Sequence, residues 1–146
     1  MKKFIYGQGL DELLQMRVGT TVYTYHTDAQ GNVVALTNSA GQVVETYRYD
    51  IYGRLRDVKE LTEGVLVSIP DANENGYIDT DEYYGGSLTD NPYLFQSQRL
   101  DKETGLYYFR NRYYDPVHGR FLTRDHAEDG LNLYAFVNNN PVCSMR

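Results

Sequence analysis

Three short stretches of this chain share one pattern. Asp28-Ala29-Gln30-Gly31-Asn32-Val33, Asn38-Ser39-Ala40-Gly41-Gln42-Val43 and Asp50-Ile51-Tyr52-Gly53-Arg54-Leu55 all read Asp/Asn-x-x-Gly-x-apolar, their first positions 10 and then 12 residues apart. Each is a turn with a mechanism: Asp or Asn at the first corner bonds its own backbone two residues on, and Gly at the fourth accepts positive φ. The pattern predicts a type I turn closed by a Gly bulge, the connection of a β-hairpin. Between the turns lie Val22-Tyr23-Thr24-Tyr25, Val33-Val34-Ala35-Leu36 and Val43-Val44-Glu45-Thr46-Tyr47-Arg48-Tyr49, which are β-branched and aromatic. Their alternation sets Tyr47 and Tyr49 on one face, and strands joined by such turns make an antiparallel meander.

Composition agrees. Fifteen Tyr, five Phe and no Trp with 13 Gly suit aromatic-lined strands punctuated by Gly turns. The 146 residues amount to one domain, and 41% hydrophobic with 23% charged residues is ordinary for a folded protein with a net charge of −6. A single Cys (Cys143) excludes an internal disulfide and a cysteine-rich zinc site, and His26, His118 and His126 show no metal-ligand spacing. Met1-Lys2-Lys3-Phe4-Ile5-Tyr6 breaks at Gly7-Gln8-Gly9 before any signal-peptide apolar run, and no stretch reaches the ~20 apolar residues of a membrane span. The chain therefore reads as cytosolic, or as part of a larger protein whose targeting lies elsewhere.

Tyr47-Arg48-Tyr49-Asp50-Ile51-Tyr52-Gly53-Arg54-Leu55 resembles the YD repeat of the Rhs family. The carboxyl third resembles the Rhs repeat-associated core domain in four ordered blocks. They are Asn91-Pro92-Tyr93-Leu94-Phe95, Arg99 to Pro116 with Tyr107-Tyr108-Phe109-Arg110-Asn111-Arg112-Tyr113-Tyr114 at its centre, Gly119-Arg120-Phe121-Leu122, and Asn132 to Pro141. The resemblance covers roughly 1 to 60 and 91 to 142. It implies a bacterial protein whose YD repeats coil into a hollow β-shell around a carboxyl-terminal toxin, with a core domain that closes the shell and frees the toxin by aspartyl-protease-like autoproteolysis.

Read as one strand, Tyr107 to Tyr114 puts Tyr107, Phe109, Asn111 and Tyr113 on one face and Tyr108, Arg110, Arg112 and Tyr114 on the other. Arg flanked by Tyr rings predicts cation–π ladders, each contact worth ~0.5 to 1 kcal/mol where exposed. Six bases against three acids between 99 and 124 is modest charge with acids interleaved and no recognised motif, so nucleic-acid binding is not expected.

From 57 to 90 the charge reverses: nine acids and Lys59 alone leave −8. Within this insert Asp71-Ala72-Asn73-Glu74-Asn75-Gly76-Tyr77-Ile78-Asp79-Thr80-Asp81-Glu82 matches the EF-hand calcium loop, with oxygen ligands at positions 1, 3 and 5, Gly at 6, an apolar residue at 8 and acids at 9 and 12. Ca²⁺ takes about 6 to 8 oxygens. Asp71, Asn73 and Asn75 are expected to supply side-chain oxygens, Tyr77 its carbonyl, Asp79 a direct or water-mediated contact, and Glu82 both carboxylate oxygens. Val65 to Pro70 is no entering helix, and Tyr83-Tyr84-Gly85-Gly86 allows at most a brief helical turn. An isolated loop of this dockerin-like kind should bind at ~10⁻⁴ to 10⁻³ M and serve a structural role.

By motif position Asp125 corresponds to the family's core aspartate. An aspartyl dyad needs two carboxylates sharing a proton. The family follows Asn-Asn-Pro with Asp-Pro-x-Gly, whereas this chain ends Asn139-Asn140-Pro141-Val142-Cys143-Ser144-Met145-Arg146, and His126 stands where the family has Pro. Asp129 has no assigned role. The expectation is an all-β, non-catalytic chain: a YD-repeat meander at 1–60, a calcium-loop insert at 61–90 and an Rhs core-like region, truncated at its end, at 91–146. About 50 repeat-like residues are too few to enclose a cavity, so open strand edges should pair with other shell segments or with a second copy. A toxin domain and a cell-surface glycan are the further partners considered, and secretion or cell-surface display as part of a larger protein is the expected location. Autoproteolysis centred on Asp125 and carbohydrate binding through the Tyr-rich strands stand as alternatives.

Overall fold

All three repeat turns close in the same way. Asp28, Asn38 and Asp50 each accept at Oδ1 from the backbone N–H groups two and four residues on, at 2.9–3.0 Å. Gly31, Gly41 and Gly53 sit at φ of +83°, +79° and +93°, and the strand register slips by one residue beside each turn. These are type I turns with a Gly bulge, made by side-chain-to-backbone bonds that lie wholly within the motif.

The turns string strands into a sheet. A computed structural model describes residues 1–9 and 12–123. Strands β1 (Lys2–Tyr6), β2 (Leu13–Val18), β3 (Thr21–Thr27), β4 (Val33–Thr37), β5 (Val43–Tyr49), β6 (Leu55–Thr62) and β7 (Val65–Ser68) form a seven-stranded antiparallel meander in sequence order. The outer edges of β1 and β7 carry no strand among the described residues. A helix, α1 (Thr80–Gly86), and a single 3₁₀ turn (Phe95–Ser97) lead into a second meander of β8 (Arg99–Leu100), β9 (Tyr107–Phe109), β10 (Arg112–Asp115) and β11 (Arg120–Phe121). Helix α1 runs nearly two turns rather than a brief one, because Asp79 and Glu82 form a reciprocal capping box at its start.

One hydrophobic core joins all of these. Met16, Tyr25, Leu36, Tyr47 and Val58 from the seven-stranded sheet pack with Ile69, Ile78 and Tyr83 of the insert and with Leu94, Phe95, Tyr107, Tyr114 and Phe121 beyond it. Tyrosine suits this core because its ring fills volume while its hydroxyl can meet a buried backbone carbonyl. Tyr107 donates to the Gly53 carbonyl (3.1 Å), Tyr114 to that of Tyr52 (2.6 Å) and Tyr49 to that of Val33 (2.6 Å). The second sheet is thereby tied to the repeat turns themselves. The Leu94 to Gln98 corner is tied similarly: Asn32 Oδ1 accepts from Gln96 N (3.0 Å) and the Gly31 carbonyl from Ser97 Oγ (2.8 Å). Those contacts hold Gln96 and Ser97 at φ of +50° and +56°, a conformation costing about 1–3 kcal/mol per residue.

The segment from Tyr107 to Tyr114 differs from the single strand expected. It is a hairpin: Phe109 pairs with Arg112, and Arg110, at φ +64°, turns the chain, with Asn111 N–H donating to the Phe109 carbonyl (2.7 Å). This three-residue γ-turn reverses the parity of everything after it. Tyr107 and Tyr114 share the buried face, and Tyr108 meets Tyr113 at 5.2 Å, the rings tilted by 52°, on the exposed one. The expected Arg–Tyr ladder is replaced by Arg112 lying over Phe121 at 3.6 Å.

Candidate metal loop and its anchorage on the repeat sheet

The acidic loop is built on β6. Ile69 N–H donates to the Val58 carbonyl (2.8 Å) and Ile78 N–H to that of Leu55 (2.9 Å), so both ends of the loop are sewn to the repeat sheet. Ile69 and Ile78 are buried in the common core, which fixes the spacing between positions 71 and 82 before any ligand arrives. Asp71 accepts from the N–H groups of Asn75 (3.2 Å) and Gly76 (2.8 Å), Asn73 Oδ1 from Asn75 N (3.1 Å), and Asn75 Oδ1 from Tyr77 N (2.8 Å). Gly76 takes φ +84°, the bend its position requires. Glu82 reaches back, one oxygen accepting from Ala72 N and the other from Asp79 N, both at 2.8 Å.

The predicted ligand residues Asp71, Asn73, Asn75, Tyr77, Asp79 and Glu82 are therefore gathered on one turn. Asp79 has an additional partner that the loop sequence does not contain. Arg54, the fifth residue of the third repeat turn, donates to Asp79 Oδ1 at 3.1 Å, while the side-chain amides of Asn73 and Asn75 donate to Oδ2 at 2.8 and 3.0 Å. Burial alone would raise the Asp79 carboxyl, but these hydrogen bonds and the Arg54 charge hold it below the usual carboxylate range. The Arg54 guanidinium also lies 3.9 Å over the Tyr77 ring, with Arg56 at 5.2 Å. Among the described residues no three Asp, Glu, His or Cys side chains converge as a ready metal cluster, so the donor set of this loop depends on Asn73 and Asn75. All-oxygen donors on a short turn suit a hard divalent cation of flexible coordination.

A second polar site belongs to no sequence motif. Glu45 of β5 is 0% exposed and has no cationic hydrogen-bond partner: its carboxylate accepts from Ser87 Oγ (2.6 Å), Thr89 Oγ1 and Tyr47 OH (3.3 Å). Directly across the ladder stands Glu60 of β6, whose Oε2 is buried without a partner. Burial pushes the Glu45 carboxyl up, opposed by the three hydroxyls and reinforced by the Glu60 charge. The signal that would have found it is parity, since Glu45 alternates with Tyr47 and Tyr49, already placed on one face. Nearby, Asn91 is completely buried, receives Tyr25 OH at its Oδ1 (2.6 Å) and offers its backbone carbonyl to Tyr83 OH (2.7 Å). Asp125, His126, Asp129, Cys143 and the block from 132 to 141 lie outside the described residues.

Residues 28–64, which hold all three turns, match the RHS Repeat family. The tRNA3(Ser)-specific nuclease WapA of Bacillus spizizenii is 33% identical over 150 residues, covering 99% of this chain and 5% of that protein. The double-stranded DNA deaminase toxin A of Burkholderia cenocepacia is 30% identical over 123 residues, 83% of this chain and 7% of that protein. Among solved structures, the TcdB2-TccC3-Cdc42 crystal structure superposes with a TM-score of 0.62 at 25% identity over 99% of this chain and 6% of that one. The chain thus spans about one twentieth of the length of the curated relatives it matches first. No helix among the described residues is long and apolar enough to cross a membrane. Residues 28–64 are thus an RHS Repeat, similarity to nuclease and toxin proteins runs along nearly the whole chain, and its open antiparallel sheet is that of the TcdB2-TccC3 structures.

Proposed function

We propose that this chain is a wall segment of an Rhs-type β-shell: a structural and interaction element of a larger bacterial toxin protein that works outside the producing cell, contributing architecture rather than catalysis. The observation that carries this reading is the asymmetry of the seven-stranded sheet. One face is packed against the insert and the second sheet, while β1 and β7 each border no further strand among the described residues. Strand β7 is exposed along its whole length, with Val65 63% and Val67 49% accessible, a flat apolar edge that soluble proteins otherwise protect. Neighbouring strands of the same shell are the natural partners, and a nuclease- or deaminase-type toxin, as named in the relatives, is the cargo. Sedimentation of the full chain tests it. Concentration-dependent self-association is expected, and it should vanish in Val65→Lys/Val67→Lys; a strictly monomeric chain at high concentration would refute the edge argument.

A calcium ion belongs to this reading as a staple for the acidic loop. The residues fit: Asp71, Asn73, Asn75, Asp79 and Glu82 offer oxygens, with the Tyr77 carbonyl, and the segment from 57 to 90 carries −8 of its own, met from outside by Arg54 at Asp79. When bound, calcium supplies positive charge beyond the one that Arg54 brings. Tenfold saturation over Kd stabilises by about 1.4 kcal/mol, which at this chain length raises Tm by about 3–6 °C. Calorimetric titration with melting at zero and several millimolar calcium checks this. Glu82→Gln should abolish the calcium-dependent rise, whatever it does to the metal-free Tm; no heat and no shift in the unaltered chain would remove calcium from the reading.

A further inference from the structure

Asn75-Gly76 is the one Asn-Gly pair in the sequence, and it lies in the acidic loop with both residues exposed. The pair is chemically distinct because the side-chain amide carbon of an asparagine can close a five-membered ring on the backbone nitrogen of the next residue. A side chain on that next residue crowds the approach, and glycine has none. Around Gly76 the space where a Cβ would stand is open, with nothing within 4 Å. Both reacting groups belong to adjacent residues, so no second reactant has to be gathered.

The loop's hydrogen bonds meet the demands of ring closure one by one. The attacking nitrogen must give up its proton, and Gly76 N–H already donates to Asp71 Oδ2 at 2.8 Å, with a carboxylate in place as acceptor. The attacked carbon must place negative charge on its oxygen, and Asn75 Oδ1 already accepts from Tyr77 N–H at 2.8 Å. Water must reach the product, and the exposed loop admits it. Asn38 is the natural comparison, since its Oδ1 also accepts from backbone N–H groups, those of Ala40 and Gln42. There the following residue is Ser39, which brings a Cβ to the nitrogen that would attack.

We propose that Asn75 is a site of spontaneous covalent modification, in which Gly76 N attacks Asn75 Cγ and closes a cyclic imide that water reopens. In the first step the Gly76 N–Asn75 Cγ bond forms, the Asn75 Cγ–Nδ2 bond breaks, and the Gly76 amide proton leaves with Nδ2 as ammonia. In the second, water adds across either imide C–N bond and leaves aspartate or isoaspartate at position 75. Nothing is oxidised or reduced. The products change the loop, because Asn75 Nδ2 donates to Asp79 Oδ2 (3.0 Å) and an aspartate there sets one carboxylate against another, with Arg54 on Asp79 Oδ1 as the neighbouring cation. On the calcium reading above, aspartate adds charge to the donor set and tightens binding, whereas isoaspartate lengthens the backbone, puts Tyr77, Asp79 and Glu82 out of step and abolishes it.

The test is incubation of the full chain at physiological temperature and neutral pH with a chelator, followed over weeks by peptide mass mapping and isoaspartate detection. With metal withheld, the result is independent of whether the loop binds calcium, so failure here and failure of the calcium reading are told apart. The mass gain of an amide-to-acid conversion should accumulate at Asn75 ahead of Asn38, and isoaspartate should form together with aspartate. Gly76→Ala and Asp71→Asn should each slow the conversion about tenfold or more. Melting curves check that both variants keep the fold, whose loop ends are held through Ile69 and Ile78. The product analysis of the unaltered chain stands without them. Asn75 intact while Asn38 converts, aspartate formed without isoaspartate as direct hydrolysis would give, or a rate unchanged in both variants would each overturn the proposal.

Discussion

Gly41 and Gly53 occupy the same place in the same turn, at φ of +79° and +93°, yet they face different surroundings. A Cβ on Gly41 meets nothing within 4 Å, whereas on Gly53 it would penetrate the Phe95 ring. Phe95 has little room to retreat, since it is buried and packs against Tyr49, Tyr107 and Tyr114 at centroid distances of 5.8–6.1 Å. Placing an L-residue at such φ costs about 1–2 kcal/mol, and overpacking adds about 1–3 kcal/mol. Gly41→Ala is therefore expected to lose about 1–2 kcal/mol and Gly53→Ala about 2–5 kcal/mol. The unfolded-state entropy that any Gly→Ala change removes, about 0.4–1 kcal/mol in favour of folding, is common to both and cancels in their difference. Urea unfolding followed by tyrosine fluorescence measures each, with Gly31→Ala as a second open-site control. Equal losses at positions 41 and 53, within about 0.5 kcal/mol, would mean that Phe95 does not bear on the third turn, and the shared core described above would be wrong there.

Two further perturbations address the buried polar groups. Because the folded state raises the Glu45 carboxyl, its contribution to stability is fully present below the unfolded value near 4.5 and is lost as pH rises through the folded pKa. Glu45→Gln should then melt above the unaltered chain at neutral pH, with the gap closing toward acid; parallel melting curves from pH 4 to 8 would contradict the buried-carboxylate account. Tyr107→Phe removes the donor to the Gly53 carbonyl and should cost about 1–3 kcal/mol, against nearly nothing for the exposed Tyr108→Phe, as read by chemical unfolding.

What could be read from the chain in advance was whatever is settled by neighbours in sequence. The Asp28, Asn38 and Asp50 turns depend on groups at most four residues away, so their geometry was legible to the sign of φ at each Gly. The hairpin at Arg110–Asn111 was not, because neither residue announces a reversal as Asn-Gly would, and period-2 reasoning is blind to a turn that flips parity. For Glu45 parity with Tyr47 signals the buried face, but two of its three donors, Ser87 and Thr89, are 42 and 44 residues away and are not legible from neighbours in sequence. The loop spacing makes Asp79 and Glu82 metal ligands, yet the same Asp-x-x-Glu spacing is a helix-capping signature, and the structure uses it as one. Arg54 entered the loop's electrostatics only through tertiary contact.

The tyrosine hydroxyls that end on the carbonyls of Val33, Tyr52 and Gly53 also limit how such a chain can be recombined. A backbone carbonyl is present whatever side chain a turn carries, so the solvent-facing turn residues can drift without releasing the second sheet. The tyrosines cannot: Tyr49, Tyr107 and Tyr114 each reach one fixed carbonyl, and a graft that kept the turns while exchanging the block from 99 to 121 would have to return a hydroxyl to the places where Tyr107 and Tyr114 now end. The exchangeable unit is the sheet together with its cover, and variation should gather at residues such as Ala29, Ser39 and Ile51, whose side chains ride on the turns and face solvent.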